Sequence, residues 1–188
     1  MKQSIFTVLS NEALTDSVYK MVLSGDTSAI TAPGQFVNIR LEGHYLRRPI
    51  SVCDYDDTTL TIIYKVVGKG TGDMSAMSPG KQLDILTGLG NGYDLSLSGE
   101  KPVLMGGGVG VPPMYNLAKR LVAQGKQVQV ILALIPLPKF SMKMSLLPWA
   151  AQSQLPQLTE AMVLRALSPR LWQKWTTPIS TPAARSLC

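Results

Sequence analysis

The sequence of 188 residues, 45% hydrophobic and 16% charged, can build one large domain or two small ones around a buried core. No apolar run reaches the ~18 residues of a membrane-spanning helix, the opening MKQSIFTVLSNEALTD lacks the basic-then-apolar order of a secretory leader, and Cys53 and Cys188 alone make neither a disulfide framework nor a metal site, so a cytoplasmic protein is expected. The net charge of +6 suggests nucleic acid, but residues 1–132 carry twelve basic side chains against eleven acidic ones, and that near-neutral body speaks against phosphate-backbone binding.

In chain order, the first hundred residues read as short strands broken by turns. Ser4–Leu9, Val18–Leu23, Phe36–Arg40, Ile50–Asp54, Leu60–Val67 and Gln82–Leu86 favour strand by β-branched or alternating apolar content. Pro33–Gly34, Asp56–Asp57, Ser78–Pro79–Gly80 and Gly88–Gly92 supply turn chemistry between them. A helical turn is expected at Thr71–Met77, after Gly68–Lys69–Gly70. This pattern predicts a small antiparallel β-barrel over residues 1–99.

The character changes near Gly99. Lys101–Met105 is a compact apolar strand, followed by Gly106–Gly107–Gly108–Val109–Gly110 and then by Val111–Pro112–Pro113. Met114–Gln124 places Met114, Leu117, Ala118, Leu121 and Val122 on one helical face, and Gly125 closes it before a second strand at Gln127–Leu132. Strand, glycine turn, helix and strand make the opening βαβ unit of an α/β nucleotide-binding domain, here residues 100–132.

Several short segments could carry chemistry. In Arg47–Arg48–Pro49–Ile50–Ser51 an arginine and a hydroxyl can hold a cofactor diphosphate and a flavin ring, with Pro49 fixing the backbone; the competing reading is an edge strand with two solvated arginines. Ile63–Tyr64–Lys65 offers an aromatic to flank a ring system, or a half-buried strand aromatic. Gly70–Thr71 offers backbone N–H groups and a hydroxyl to an anion, or a simple turn. The glycine run lacks the spacing of a dinucleotide fingerprint, and permits close cofactor approach or tight strand–helix packing equally. His44, the sole histidine, reads as a solvated loop side chain and Cys53 as a small core residue. Asp54, Asp56 and Asp57 read as a turn and not a metal site, and one loop histidine permits no Ser/His/Asp constellation.

Together the segments resemble one family. Pro33–Gly34–Gln35–Phe36, Arg47–Ser51, Ile62–Val66, Gly68–Thr71 and Gly88–Gly92 are similar to the ferredoxin-reductase-like module, above all to the electron-transfer subunits of type B dihydroorotate dehydrogenases, and Met105–Pro113 resembles that family's turn into its NAD-binding half. The resemblance implies FAD against Arg48, Pro49, Ile50, Ser51, Ile63, Tyr64, Lys65, Gly70 and Thr71, and NAD near Gly107, Gly108 and Gly110. It also implies a [2Fe–2S] cluster whose four cysteines are missing here. The partner it implies is a dihydroorotate-oxidising catalytic subunit, two copies of each, in pyrimidine synthesis. Sibling reductases serving sulfur, ferredoxin or hydrogenase chemistry, and a non-functional fragment, remain the alternatives.

The tail has another vocabulary. All sixteen glycines lie at or before Gly125, all three tryptophans (Trp149, Trp172, Trp175) lie beyond it, and residues 133–188 hold six basic side chains to one acidic. A base lost near the codons for Leu132–Ala133 accounts for this. Because Met and Trp have single codons, the restored frame must read Glu across Met142–Lys143, Gly across Trp149–Ala150 and Met162–Val163, Ala across Trp172–Gln173 and Asp across Trp175–Thr176. With synonymous choices elsewhere it regains glycines, acidic residues and the family's Cys-Gly-Pro ending. Residues 133–188 are therefore expected to be a frameshifted, ill-defined tail, with the parallel sheet stopping after two strands; a divergent Pro/Gln/Ser-rich segment is the competing reading.

Overall fold

A computed structural model of the chain describes residues 1–134 and 143–148. Six strands, β1 (Lys2–Ala13), β2 (Val18–Ser24), β3 (Phe36–Ile39), β4 (Arg48–Tyr55), β5 (Thr59–Lys65) and β6 (Gln82–Leu89), close into an antiparallel barrel in the order β1-β2-β5-β4-β3-β6. The barrel expected from the alternating sequence is therefore present. Four of its strands are longer than periodicity alone suggested, while β3 and β5 are each one residue shorter; β4 starts at Arg48, not Ile50, because Asn38 and Ile39 pair with Pro49 and Arg48. Proline has no N–H to give, and it is tolerated here near the strand's start.

Alternation fixes what each strand buries. On β5, Leu60, Ile62 and Tyr64 enter the barrel core, while Ile63 turns outward into a second apolar cluster. On β4 the neighbours Val52 and Cys53 divide in the same way, Val52 inward and Cys53 outward. Helix α1 (Lys69–Ser75) closes the barrel with Met74, whose side chain is fully buried in the same core. Asn11 anchors the end of α1 by donating to the carbonyls of Met74 (2.9 Å) and Met77 (3.0 Å), and it accepts from the Tyr64 hydroxyl at 3.1 Å.

Beyond a short 3-10 turn at Leu95–Leu97, strand β7 (Val103–Gly107) runs through a second 3-10 turn, Gly108–Gly110, into α2 (Pro112–Ala123). Strand β8 (Gln129–Leu134) pairs parallel with β7, as the βαβ reading requires. Proline at the first turn of α2 and Gly125 at φ +82° just beyond it match the expected start and stop. Leu117, Leu121 and Val122 of α2 pack with Val18, Cys53 and Ile63 on the outer barrel wall, so helix and barrel share one core.

One element was not foreseen. Strand β9 (Lys143–Pro148) pairs antiparallel with β8, from Gln129↔Pro148 to Leu134↔Lys143, so the sheet has three strands and not two. It covers an edge of β8 that would otherwise present unpaired backbone groups. The rest of the tail read as frameshifted lies outside the described residues. Among the described residues, no helix is long and apolar enough to cross a membrane and no cluster of potential metal ligands occurs.

Candidate functional site

Where β4, β5, the start of α1 and the glycine turn meet, a cavity of about 340 Å³ opens, lined by Arg48, Pro49, Ile50, Ser51, Ile63, Tyr64, Lys65, Val67, Thr71 and Val109. Its volume is at the lower end of the ~300–1,000 Å³ typical of ligand pockets. Eight of the nine barrel residues singled out from the sequence line it, and the ninth, Gly70, lies directly beneath Arg48. These positions are up to 23 residues apart in the chain, and the β4–β5 pairing is what gathers them.

The two adjacent arginines do different work, and neither is a solvated edge residue. Arg47 makes a forked contact with Asp84 on β6, at 3.1 Å to Oδ1 and 3.0 Å to Oδ2, and also reaches the Asp84 carbonyl at 3.1 Å. The Arg47 guanidinium holds the Asp84 carboxyl below its ordinary range. Arg48 turns the other way, to the cavity. It donates to the Leu46 carbonyl at 2.8 Å and to His44 Nδ1 at 3.0 Å, leaving its remaining N–H groups available to a ligand.

Gly70 makes that placement possible. A Cβ there would stand 2.8 Å from an Arg48 terminal nitrogen and 2.9 Å from its Cζ, closer than any side chain permits. Thr71 is largely spent on the helix start: its hydroxyl accepts from the N–H groups of Val67 (3.0 Å) and Gly68 (3.3 Å) and donates to the Gly68 carbonyl (3.1 Å).

Tyr64 reaches the cavity from an unexpected side. Its ring packs in the barrel core, only 2% exposed and stacked on Tyr19 at 5.9 Å, and burial pushes its phenol well above the usual range. A ring so placed does not stand out to flank a ligand. The apolar surface on offer comes instead from Ile50, Ile63, Val67 and Val109.

The glycine turn contributes in the same indirect way. Gly107 ends β7, and Gly108 takes φ +53°, which turns the chain so that Val109 reaches the cavity. Open space surrounds the Cβ positions of Gly108 and Gly110. Val67 and Val109 were missed from sequence, although Val109 sits inside the glycine run and Val67 falls between Ile62–Val66 and Gly68–Thr71.

His44 also departs from expectation. Its side chain is only 10% exposed, held between Arg48 and Asp73, whose Oδ2 lies 2.6 Å from Nε2. A larger hollow of about 940 Å³ lies beside it, between Arg40, Glu42, Asp73 and Lys81; none of the site residues named from sequence lines it, and its charges are mixed. Cys53 is a core residue as expected, with burial pushing its thiol up to about 12.

No family model matches the chain. The electron transfer subunit of dihydroorotate dehydrogenase B (NAD(+)) from Listeria innocua is 42% identical over 137 residues, and that from Fusobacterium nucleatum 43% over 140; each match takes in 70% of this chain and 54% of the relative. The chain is a homologue of these electron transfer subunits. It spans about half the length of the relatives it matches.

Solved structures agree on the fold of this homologue. An NADH-dependent reduced ferredoxin-NADP oxidoreductase superposes with a TM-score of 0.61 at 29% identity, over 66% of this chain and 46% of its own. A ferredoxin NADP+ reductase from Neisseria gonorrhoeae, solved with FAD and NADP bound, superposes with a TM-score of 0.61 at 18% identity, over 73% of this chain and 59% of its own. The barrel is therefore that of the ferredoxin-reductase-like FAD proteins.

Proposed function

We propose that the barrel and its glycine turn form the FAD-binding part of an electron transfer subunit serving dihydroorotate oxidation. The observation that carries this reading is the single cavity in which the residues matched to the family's flavin segments come together. Its chemistry suits a flavin nucleotide. Arg48 supplies charge-assisted donors for a phosphate, Ser51 a hydroxyl, and Ile50, Ile63, Val67 and Val109 an apolar wall for a ring. Bound FAD would supply the exchange of a hydride for single electrons. Arg48 would neutralise a phosphate of that group, while Ile50, Ile63, Val67 and Val109 would orient its ring and keep water from one face, with no side chain of the cavity needed to move a proton.

NAD is the proposed hydride partner, with Gly107, Gly108 and Gly110 at the mouth of its half-site; the homology to NAD(+)-named subunits supports this. A [2Fe–2S] cluster does not fit this chain. The sequence holds two cysteines, and Cys53 is buried between barrel and α2, whereas such clusters are held by four thiolates. The partner on this reading is the dihydroorotate-oxidising catalytic subunit, in the cytoplasm, with two of each subunit.

The test is the visible spectrum and flavin content of the purified full chain, with Arg48→Ala alongside. One FAD per chain, lost or loosened in Arg48→Ala, is the expected result. A folded but colourless chain that takes up no added FAD would reject the proposal. Co-purification with a dihydroorotate-oxidising subunit then separates this role from that of a sibling reductase.

A further inference from the structure

The cavity holds one guanidinium, and the chain spends its only histidine on holding it. Arg48 is a donor at every nitrogen, so the imidazole nitrogen it meets must carry a lone pair. That nitrogen is Nδ1, 3.0 Å from an Arg48 terminal nitrogen. The ring proton then sits on Nε2 and is donated to Asp73 Oδ2 at 2.6 Å. His44 lies in the loop between β3 and β4, Arg48 opens β4, and Asp73 belongs to α1. The three therefore tie strand, loop and helix together beside the cavity.

We propose that His44, backed by Asp73, is a positioning residue that fixes Arg48 as the phosphate-binding donor of the cavity. This rests on the flavin reading of the site. Arginine has many rotamers, and an unbraced guanidinium must be ordered at the moment of binding. Here the Leu46 carbonyl takes one terminal nitrogen and His44 the other, while Gly70 leaves room for the guanidinium plane. The group is ordered before any ligand arrives, with N–H groups left over to meet it. Asp73, half exposed, orients the ring from α1 and sets its tautomer.

Two readouts on the full chain test this, one of them independent of flavin. Because His44 is the sole histidine, nitrogen NMR of isotope-labelled histidine reports on this ring alone. The neutral ring is expected as the Nε2–H tautomer, with an Nδ1 resonance that moves when Arg48→Met removes the donor. A neutral ring protonated on Nδ1, or an Nδ1 resonance indifferent to Arg48→Met, overturns the proposal whether or not flavin binds.

The second readout is the affinity for FAD, FMN and riboflavin in His44→Asn and His44→Gln. The Asn carbonyl can stand where Nδ1 stands and keep the bond to Arg48, whereas Gln reaches Asp73 but not Arg48. His44→Gln should weaken FAD and FMN about tenfold and riboflavin, which has no phosphate, less than about twofold. His44→Asn should recover most of the loss. Equal weakening of all three ligands, or Asn no better than Gln, overturns the proposal. A wild-type chain that binds no flavin rejects the flavin site itself, and the tautomer result then rules alone on the hold over Arg48.

Discussion

Gly70 and Arg48 occupy one space: the guanidinium lies where any side chain at position 70 would have to stand. The clash is with the far end of a flexible side chain, and the Gly70 backbone does not adopt positive φ. Alanine can therefore enter α1 if the guanidinium leaves. We expect Gly70→Ala to keep or slightly raise the melting temperature, since alanine favours helix over glycine by up to about 1 kcal/mol. We expect the same variant to bind FAD at least about tenfold more weakly, the scale of one charge-assisted hydrogen bond. Thermal denaturation beside flavin titration checks both. Unchanged FAD affinity would mean that the position of Arg48 does not matter to the ligand.

Much of this was legible in the sequence, for a physical reason. Alternation in Leu60–Lys65 and Phe36–Ile39 is a period-two signal, and it fixes which side chains enter the barrel. The helical face of Met114–Val122 and its proline start and glycine stop are equally local signals. What stayed hidden depends on packing between segments far apart in the chain. Alternation puts Tyr64 on the inward face with Leu60 and Ile62, but nothing near it announces its partner Asn11, 53 residues earlier. Nothing near His44 announces Asp73, 29 residues on. Strand β9 was hidden for a different reason, since its alternation covers only Lys143–Leu146, within a stretch whose composition departs from the rest, and its pairing is with β8 earlier in the chain.

The turn between β4 and β5 should weaken in acid through Asp56. Its carboxylate accepts from the N–H groups of Thr58 (2.9 Å) and Thr59 (2.8 Å) and from the Thr59 hydroxyl (2.6 Å). The hydroxyl bond first, then the amide bonds, lower its pKa from 3.8 to about 2. A depressed folded value means stability that is fully present above the unfolded value and lost as pH falls through the folded one. The contribution should therefore be constant above about pH 4 and fade toward about pH 2. The protection of the Thr58 and Thr59 amides, taken against their intrinsic exchange rates at each pH, should fall over that window, and Asp56→Asn should remove this loss of protection. Protection that is flat across the window would show that the carboxylate does not hold the turn.

Cys53 should be chemically silent while the fold lasts. It is 2% exposed, in the core shared by barrel and α2, and burial is the main cause of a thiol pKa near 12. The thiolate is the nucleophile, so both access and ionisation are denied. In a Cys188→Ser chain, no thiol should react with an aromatic disulfide reagent under native conditions, and one should react in denaturant. Rapid native labelling would show that the contact between barrel and α2 opens freely.

That contact depends on Asp54. Its Oδ1 accepts from Asn116 Nδ2 at 2.6 Å and its Oδ2 from Lys119 Nζ at 2.8 Å, and Asn116 in turn accepts from Arg120 Nε at 2.9 Å. Arg120 also meets the Tyr55 hydroxyl and lies over its ring, 4.9 Å from the centroid. Asn116 is 2% exposed, so removing its acceptor strands a buried amide donor. The expected loss in Asp54→Ala is about 1–3 kcal/mol, the cost of an unsatisfied buried polar group. Asp54→Asn keeps an acceptor for Asn116 and gives up only the half-exposed Lys119 pair, so it should lose less than about 1 kcal/mol. Urea denaturation of both variants measures the difference. Limited proteolysis between Asp94 and Pro102 should quicken in Asp54→Ala, because that segment is bounded on one side by the barrel and on the other by β7. If the two variants lose equal stability, the Lys119 charge and not the buried amide holds barrel to helix.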